Sequence, residues 1–353
     1  MLTLAAGQAG LTLRDHHDLH PPVIAAVNDH AMEMNALAAD FNRALAQGNA
    51  EGLATLMARL KGCGLNPQQI TDVALCKNAR GMPGLYLALY IGHAAAVTAF
   101  MQGLKGLGLN PQQIETIVRA KNARGNSGLF FALHGGHTAA VAAFMSGLKD
   151  LRLDAEHIAN ILVARGNYGL PGLYVALRSG NTAVMTAFMQ SLNGFGLDPA
   201  QIAMILVAKA AGGIPGLHMA LLTGQAATVT AFMNSLLNRI EDVREAVLQT
   251  PQLPKDLSRL ATDYAIAAEL DLSTEQIADI VAARNQEGMA GLAVAWQHEQ
   301  TAAAQACIDG LTMLRSQGRI TEGQFAGLVQ EAPLPEVAGV NTAASRKPPC
   351  AIS

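Results

Sequence analysis

The sequence predicts an all-α chain of stacked helical repeats, and three observations predict it. Columns of residues recur at a step of 44: Gly84, Gly128, Gly172 and Gly216 each open a Gly-Leu pair, and Gly48, Gly92, Gly136, Gly180 and Gly224 keep the same step, as do Leu65, Leu109, Leu153 and Leu197. Within each step the apolar residues fall at helical spacing. No segment alternates polar and apolar residues as a half-buried strand would. Three columns in one register exceed chance. One unit alone cannot bury its own stripes, so neighbours must stack as a solenoid.

Each unit reads as three helices. The first, around Leu85, Ala88 and Leu89, follows a Gly/Pro turn and stops at Gly92, a residue suited to a helix C-terminus. The second carries Val97, Phe100, Met101 and Leu104 at i, i+3, i+4 and i+7, one apolar stripe. The third opens Asn110-Pro111-Gln112-Gln113, a cap, a first-position proline and a third-position glutamine, ahead of Ile114, Ile117 and Val118. The same start recurs as Asn66-Pro67 before Ile70, Asp154 before Ile158, Asp198-Pro199 before Ile202 and Ser273 before Ile277.

Gly291 follows Gly216 by 75 residues, 31 more than the repeat step, so an insertion precedes the last unit. The organisation is then an N-terminal segment over 1–30 with room for a secretion signal, repeats over 31–240, an insertion over 241–271, a last repeat and cap over 272–330, and a tail over 331–353. About six units result, with atypical ends as a repeat stack requires.

The chain has 353 residues, 50% hydrophobic, 14% charged and 4% aromatic, so its core must be built from Ala, Leu, Val and Met. A net charge of −3 gives no global field to hold a polyanion, and no nucleic-acid partner is expected. Cys63, Cys76, Cys307 and Cys350 have no CxxC spacing, which argues against a disulfide framework or a thiolate zinc site. The opening residues lack a basic stretch followed by an apolar core, so no cleaved secretory signal is expected. The longest stretch free of Asp, Glu, Lys and Arg, Ala210 to Asn238, is broken by Gly, His, Asn and Gln, and reads as buried helices rather than a membrane span.

Gly84-Leu85-Tyr86-Leu87-Ala88-Leu89, then Gly92-His93, Val97 and Phe100-Met101, resembles the ankyrin pattern TPLHxAAxxGHxxxVxxLL position for position. Gly172 to Met189 and Gly216 to Met233 match it as well. Two departures stand out. The TPLH histidine is replaced by Tyr86, Phe130 and Tyr174 and kept only as His218, and the unit is longer than an ankyrin repeat, with an added helix where ankyrin repeats carry a hairpin loop. The resemblance implies an ankyrin-like solenoid that binds a protein partner through an exposed concave face and finger turns, with Tyr86, Phe130, Tyr174 and His218 as an exposed row. Long, Ala-rich units of this kind are similar to those of effectors that bacteria inject into host cells through type III or type IV secretion.

The final residues Cys350-Ala351-Ile352-Ser353 form a C-a-a-X sequence whose Ser favours farnesyl transfer by a host prenyltransferase. Arg346 and Lys347 would add roughly 1 kcal/mol each at an anionic surface. A single lipid anchors marginally, so a second membrane contact is expected.

A basic column, Lys77, Lys121, Arg165 and Lys209, then Arg284, ends each third helix. It reads either as a contact for an acidic partner or lipid headgroups, or as cations complementing helix C-termini, with Asn78, Asn122 and Asn285 as C-caps. Asp15-His16-His17-Asp18-Leu19-His20 holds metal-ligand types without fixed geometry, and no metal or other cofactor is expected. His93 and His137 share their slot with Asn49, Asn181 and Gln225, which points to hydrogen bonding rather than catalysis. Cys63 and Cys76 read as apolar fillers and Cys307 as half-buried. No hydrolase, nucleotide or metalloprotease motif occurs.

The resulting expectation is a non-enzymatic, partner-binding repeat scaffold, delivered from a bacterium into a host cell and held at a host membrane, or left in its cytoplasm, by the fate of Cys350. The alternative is an effector enzyme with a site shared by the concave face and the 241–271 insertion.

Overall fold

In a computed structural model of the chain, the described residues are 21–163, 165–166, 169–210, 212–237 and 272–330, with the backbone alone over 21–31. The segment before Pro21, the 241–271 insertion and the tail with Cys350 lie outside them, as does the Asp15–His20 cluster.

The described residues form eighteen α-helices and no strand, so the chain is all-α. Helices α1 (Pro21–Gln47), α2 (Ala50–Gly62) and α3 (Pro67–Ala74) come first, and α1 crosses position 31 without a break. There follow α4 (Gly84–Ile91), α5 (Ala94–Leu104), α6 (Pro111–Val118), α7 (Gly128–His134), α8 (Thr138–Asp150) and α9 (Ala155–Leu162). Next are α10 (Gly172–Arg178), α11 (Thr182–Ser191), α12 (Pro199–Val207), α13 (Gly216–Leu222) and α14 (Ala226–Leu236). The chain closes with α15 (Thr274–Ala282), α16 (Gly291–Gln297), α17 (Thr301–Ser316) and α18 (Glu322–Gln330).

Each helix packs on its counterpart one step away. One row is α1, α4, α7, α10, α13 and α16; a second is α2, α5, α8, α11, α14 and α17; a third is α3, α6, α9, α12 and α15, with α18 packed on α17. All three rows continue across the insertion, because α12 packs on α15, α13 on α16 and α14 on α17.

Side-chain size sets this stacking. Phe100, Phe144, Phe188 and Phe232 are fully buried in the second row, and truncating one to Ala would cost about 3–5 kcal/mol. Beside them Met101 fills the space that Gly147 leaves open on the next helix, and Met233 does the same at Gly310. The first row is close-packed too. A Cβ on Gly128 would lie 2.9 Å from Tyr86 Cα and from Leu89 Cδ1, so the Gly-Leu column marks a place where one helix comes close to its neighbour's backbone.

The third-row starts are capped as the sequence predicts. Asn66, Asn110, Asp198 and Ser273 each accept from the third backbone N–H, and Gln69, Gln113, Gln201 and Gln276 return a bond to the cap. Asp154 caps α9 alone, because His157 stands where the other helices carry Gln.

After each third helix the chain turns back through a short hairpin loop, so the added helix accompanies that loop rather than replacing it. In the first such loop the Asn78 N–H donates to Met82 O (3.0 Å) and the Gly81 N–H to Asn78 O (2.9 Å). The loops from Asn122, Gly166, Ala210 and Asn285 repeat the pattern. Asn78 is therefore a loop residue and not a helix C-cap: α3 ends at Ala74, and Asn78 Oδ1 accepts from the N–H groups of Arg80 and Met82. Asn122 and Asn285 do the same in their loops.

Candidate functional site

The loops and the first row of helices meet along one edge, and there the structure gathers most of the residues that the sequence singles out. Tyr86, Phe130, Tyr174 and His218 do not form an exposed row: they are 4%, 8%, 5% and 4% exposed. Three of them meet residues at or just before the loop of the next unit. Tyr86 Oη accepts from Asn122 Nδ2 at 3.0 Å, and the Phe130 ring occupies the space that Gly166 leaves, where a Cβ would come within 2.8 Å of Cδ2. His218 Nδ1 lies 3.0 Å from Ala283 O. Asn42, one step before Tyr86, donates to Cys76 O (2.9 Å) and Met82 O (3.1 Å). The column is thus a joint between first helix and following loop, which is why its members leave the surface. Burial raises the Tyr86 and Tyr174 phenols above their ordinary pKa, and burial lowers that of His218.

The basic column lies at the foot of the loops. Lys77, Arg165, Lys209 and Arg284 are exposed and Lys121 is half-buried. Arg165 Nη1 donates to Gly169 O in its own loop (2.8 Å) and to Lys209 O of the next (2.7 Å), and Arg284 Nη1 donates to Gly288 O (2.9 Å). Among the described residues no acidic side chain pairs with Lys77, Lys121 or Lys209. With Arg80 and Arg124 at two loop tips, the five loops hold seven cations against Glu287 alone.

Beside the first two loops lies an aromatic cluster that sequence reasoning missed. Tyr86 stacks on Tyr90 (centroids 5.9 Å), Tyr90 meets Phe131 edge-on (5.2 Å), and Phe131 touches Phe130 (5.2 Å) and His134 (6.3 Å). Tyr90 is 48% and Ile91 45% exposed, His134 is exposed and Phe131 half-buried. The available signal was density: four of the fifteen aromatic residues fall in α4 and α7. Later first-row helices carry Val175 and Arg178, Met219 and Leu222, or Val294 and Gln297 at the corresponding places.

A groove of about 430 Å³ runs between the first of these loops and α6, lined by Leu75, Lys77, Pro83, Gln112, Arg119 and Lys121 among others. On its wall the buried Glu115 pairs with Arg119. Glu115 Oε2 also lies 3.8 Å from His157 Nε2, while His157 Nδ1 lies 2.6 Å from Asp154 Oδ1. The hydrogen bond that His157 donates to Asp154 raises the His157 pKa, and the backbone N–H of His157 leads the groups that lower that of Asp154.

The shared slot of His93, His137, Asn181 and Gln225 serves the unit junction: the His137 ring sits over Gly92 and Asn181 Nδ2 donates to His134 O at 2.7 Å. Two cysteines differ from expectation. Cys63 is exposed at the end of α2, and Cys307 is fully buried at the place of the Phe232 column, with its thiol pushed up to about 12. Among the described residues no group of His, Cys, Asp and Glu is placed to hold a metal ion, and no helix is long and apolar enough to cross a membrane. No protein-family model and no curated protein matches the chain.

Proposed function

We propose that this chain is a non-enzymatic, ankyrin-like solenoid of about six units that binds a protein partner. On the same reading it acts as a bacterial effector inside a host cell and is tethered to a host membrane by prenylation of Cys350. The observation that carries the binding reading is the edge where charged hairpin loops stand beside exposed aromatic side chains. Partner-binding surfaces are enriched in Tyr, Phe and Arg, and such residues dominate their energetics. The hairpin loops support the ankyrin likeness, because finger turns are the feature that the repeat length left in question. The effector reading rests on the resemblance of the units, and the tether rests on the CAIS ending.

Full-length protein and its Cys350→Ser variant, expressed in a eukaryotic cell, test the proposal together. Intact mass should show a farnesyl-sized increase with loss of the last three residues, and the variant should leave the membrane fraction. Chemical crosslinking of the same samples should join a discrete host protein to the loop edge in both forms. An unmodified, soluble protein removes the tether, and no crosslinked protein removes the binding role.

A further inference from the structure

The repeat makes its own control. Every unit must supply joint residues, stripe residues and caps, so a feature confined to two neighbouring units is not required by stacking. The aromatic cluster of α4 and α7, which leaves Tyr90 and His134 exposed, is such a feature, and so are the arginines at the loop tips, Arg80 and Arg124; the two later tips that are described carry Gly212 and Glu287. Both features belong to the same two units. They are joined through Tyr86, which stacks on Tyr90 and takes its hydrogen bond from the loop that carries Arg124.

We infer that the face formed by Tyr90, Phe131 and His134 beside Arg80 and Arg124 is a docking surface for an acidic segment of a protein partner, with one large apolar side chain of that segment held on the aromatic cluster. The inference rests on the partner-binding reading and names where the partner sits and what its chemistry is. Charge supplies the sign: these two loops carry Lys77, Arg80, Lys121 and Arg124 and no acid. Complementary charge steers encounter and fixes register, while the desolvated aromatic contact holds the complex. Shape favours a peptide over a lipid surface. A flat bilayer meets loop tips alone, whereas Lys77 and Lys121 of the same two loops line a groove whose walls include Leu75 and Pro83.

The test is selection from a displayed library of random peptides, about a dozen residues long, on full-length protein, followed by affinity measurement with the enriched sequences made synthetically. Enriched peptides should carry surplus Asp and Glu and one aromatic or large aliphatic residue, and should weaken as salt rises. Tyr90→Ser and the double variant Arg80→Glu, Arg124→Glu should each weaken binding by about tenfold or more, while Met313→Ala on α17 leaves it unchanged. All four side chains are exposed, and equal melting temperatures would show that each variant folds. Peptides that bind the patch variants as well as wild type overturn this surface and leave the binding reading standing. No enrichment at all counts against both. Capture of phosphatidylserine-rich vesicles, lost with the arginines, without peptide binding would reassign the surface to a membrane. A dimer broken by Tyr90→Ser would reassign it to a second copy of the chain.

Discussion

Asn122 donates its side-chain amide to the hydroxyl of Tyr86 at 3.0 Å, and this bond joins α4 to a loop that begins 36 residues later. Tyr86 is otherwise buried, so the bond satisfies a phenol that has little access to water. Phe130, one step on, lacks the hydroxyl, and there the amide is replaced by Gly166, which makes room for the ring. Tyr86→Phe should therefore fold normally and lose about 1 kcal/mol, measured by urea unfolding. Gly166→Asn should cost more, because its Cβ would fall within 2.8 Å of the Phe130 ring.

Gly92 combines a left-handed backbone, φ +92°, with a close approach: an added Cβ would lie 2.7 Å from His137 Nδ1. Gly92→Ala should destabilise by about 1–2 kcal/mol for the backbone alone, with the displaced imidazole adding to it. Combining it with His137→Ala should recover the second part and leave the first, which thermal unfolding of the single and double variants would resolve.

His157 gives the stability a pH dependence whose sign follows from its partner. Its folded pKa lies above the ordinary 6.5, so its contribution is fully present below pH 6.5 and is lost as pH rises through the folded value. The Asp154 contribution runs the other way, present above about pH 3.8 and lost as pH falls, so the pair supports the fold between these values. Glu115 and Glu156 also act on the imidazole, and Glu115 is itself paired with Arg119. His157→Gln restores the glutamine found in the other third-row helices and keeps the cap. Its stability relative to wild type should increase from pH 6 to pH 8 in urea titrations. His218, whose pKa is lowered by burial, titrates in both proteins and cancels in the comparison.

Burial separates the thiols. At mildly alkaline pH, Cys63 should alkylate in native protein while Cys307 reacts only in denaturant, as peptide mass mapping would show. Prompt labelling of Cys307 would mean that α17 does not pack on α14 across the insertion.

The parts of this fold that sequence revealed are those fixed by local chemistry. Asn110-Pro111 with Gln113 specifies a helix start within a few residues, and Val97, Phe100, Met101 and Leu104 specify its neighbour's buried stripe. What sequence did not reveal depends on the reach of a loop from the next unit. Tyr86 and Tyr90 are the same residue type one turn apart on α4, yet the following loop covers the first and leaves the second in solvent. The exposed row expected at Tyr86, Phe130, Tyr174 and His218 is therefore buried, and at its first member the side chain left in solvent stands one helical turn further on. Asn78 and Asn122 followed the same logic, since an Asn suits a helix end and a turn equally and only the hairpin bonds distinguish them.

Contact between a protein and the face formed by α4 and α7 is the event that the proposed docking surface requires. A photo-crosslinking amino acid placed at position 90 or at 313 in full-length protein, irradiated inside eukaryotic cells, captures such a contact whatever the partner's identity. The prediction is a discrete protein adduct from position 90 that is absent from 313 and disappears with Arg80→Glu and Arg124→Glu. No adduct from position 90, or equal adducts from both positions, would contradict it.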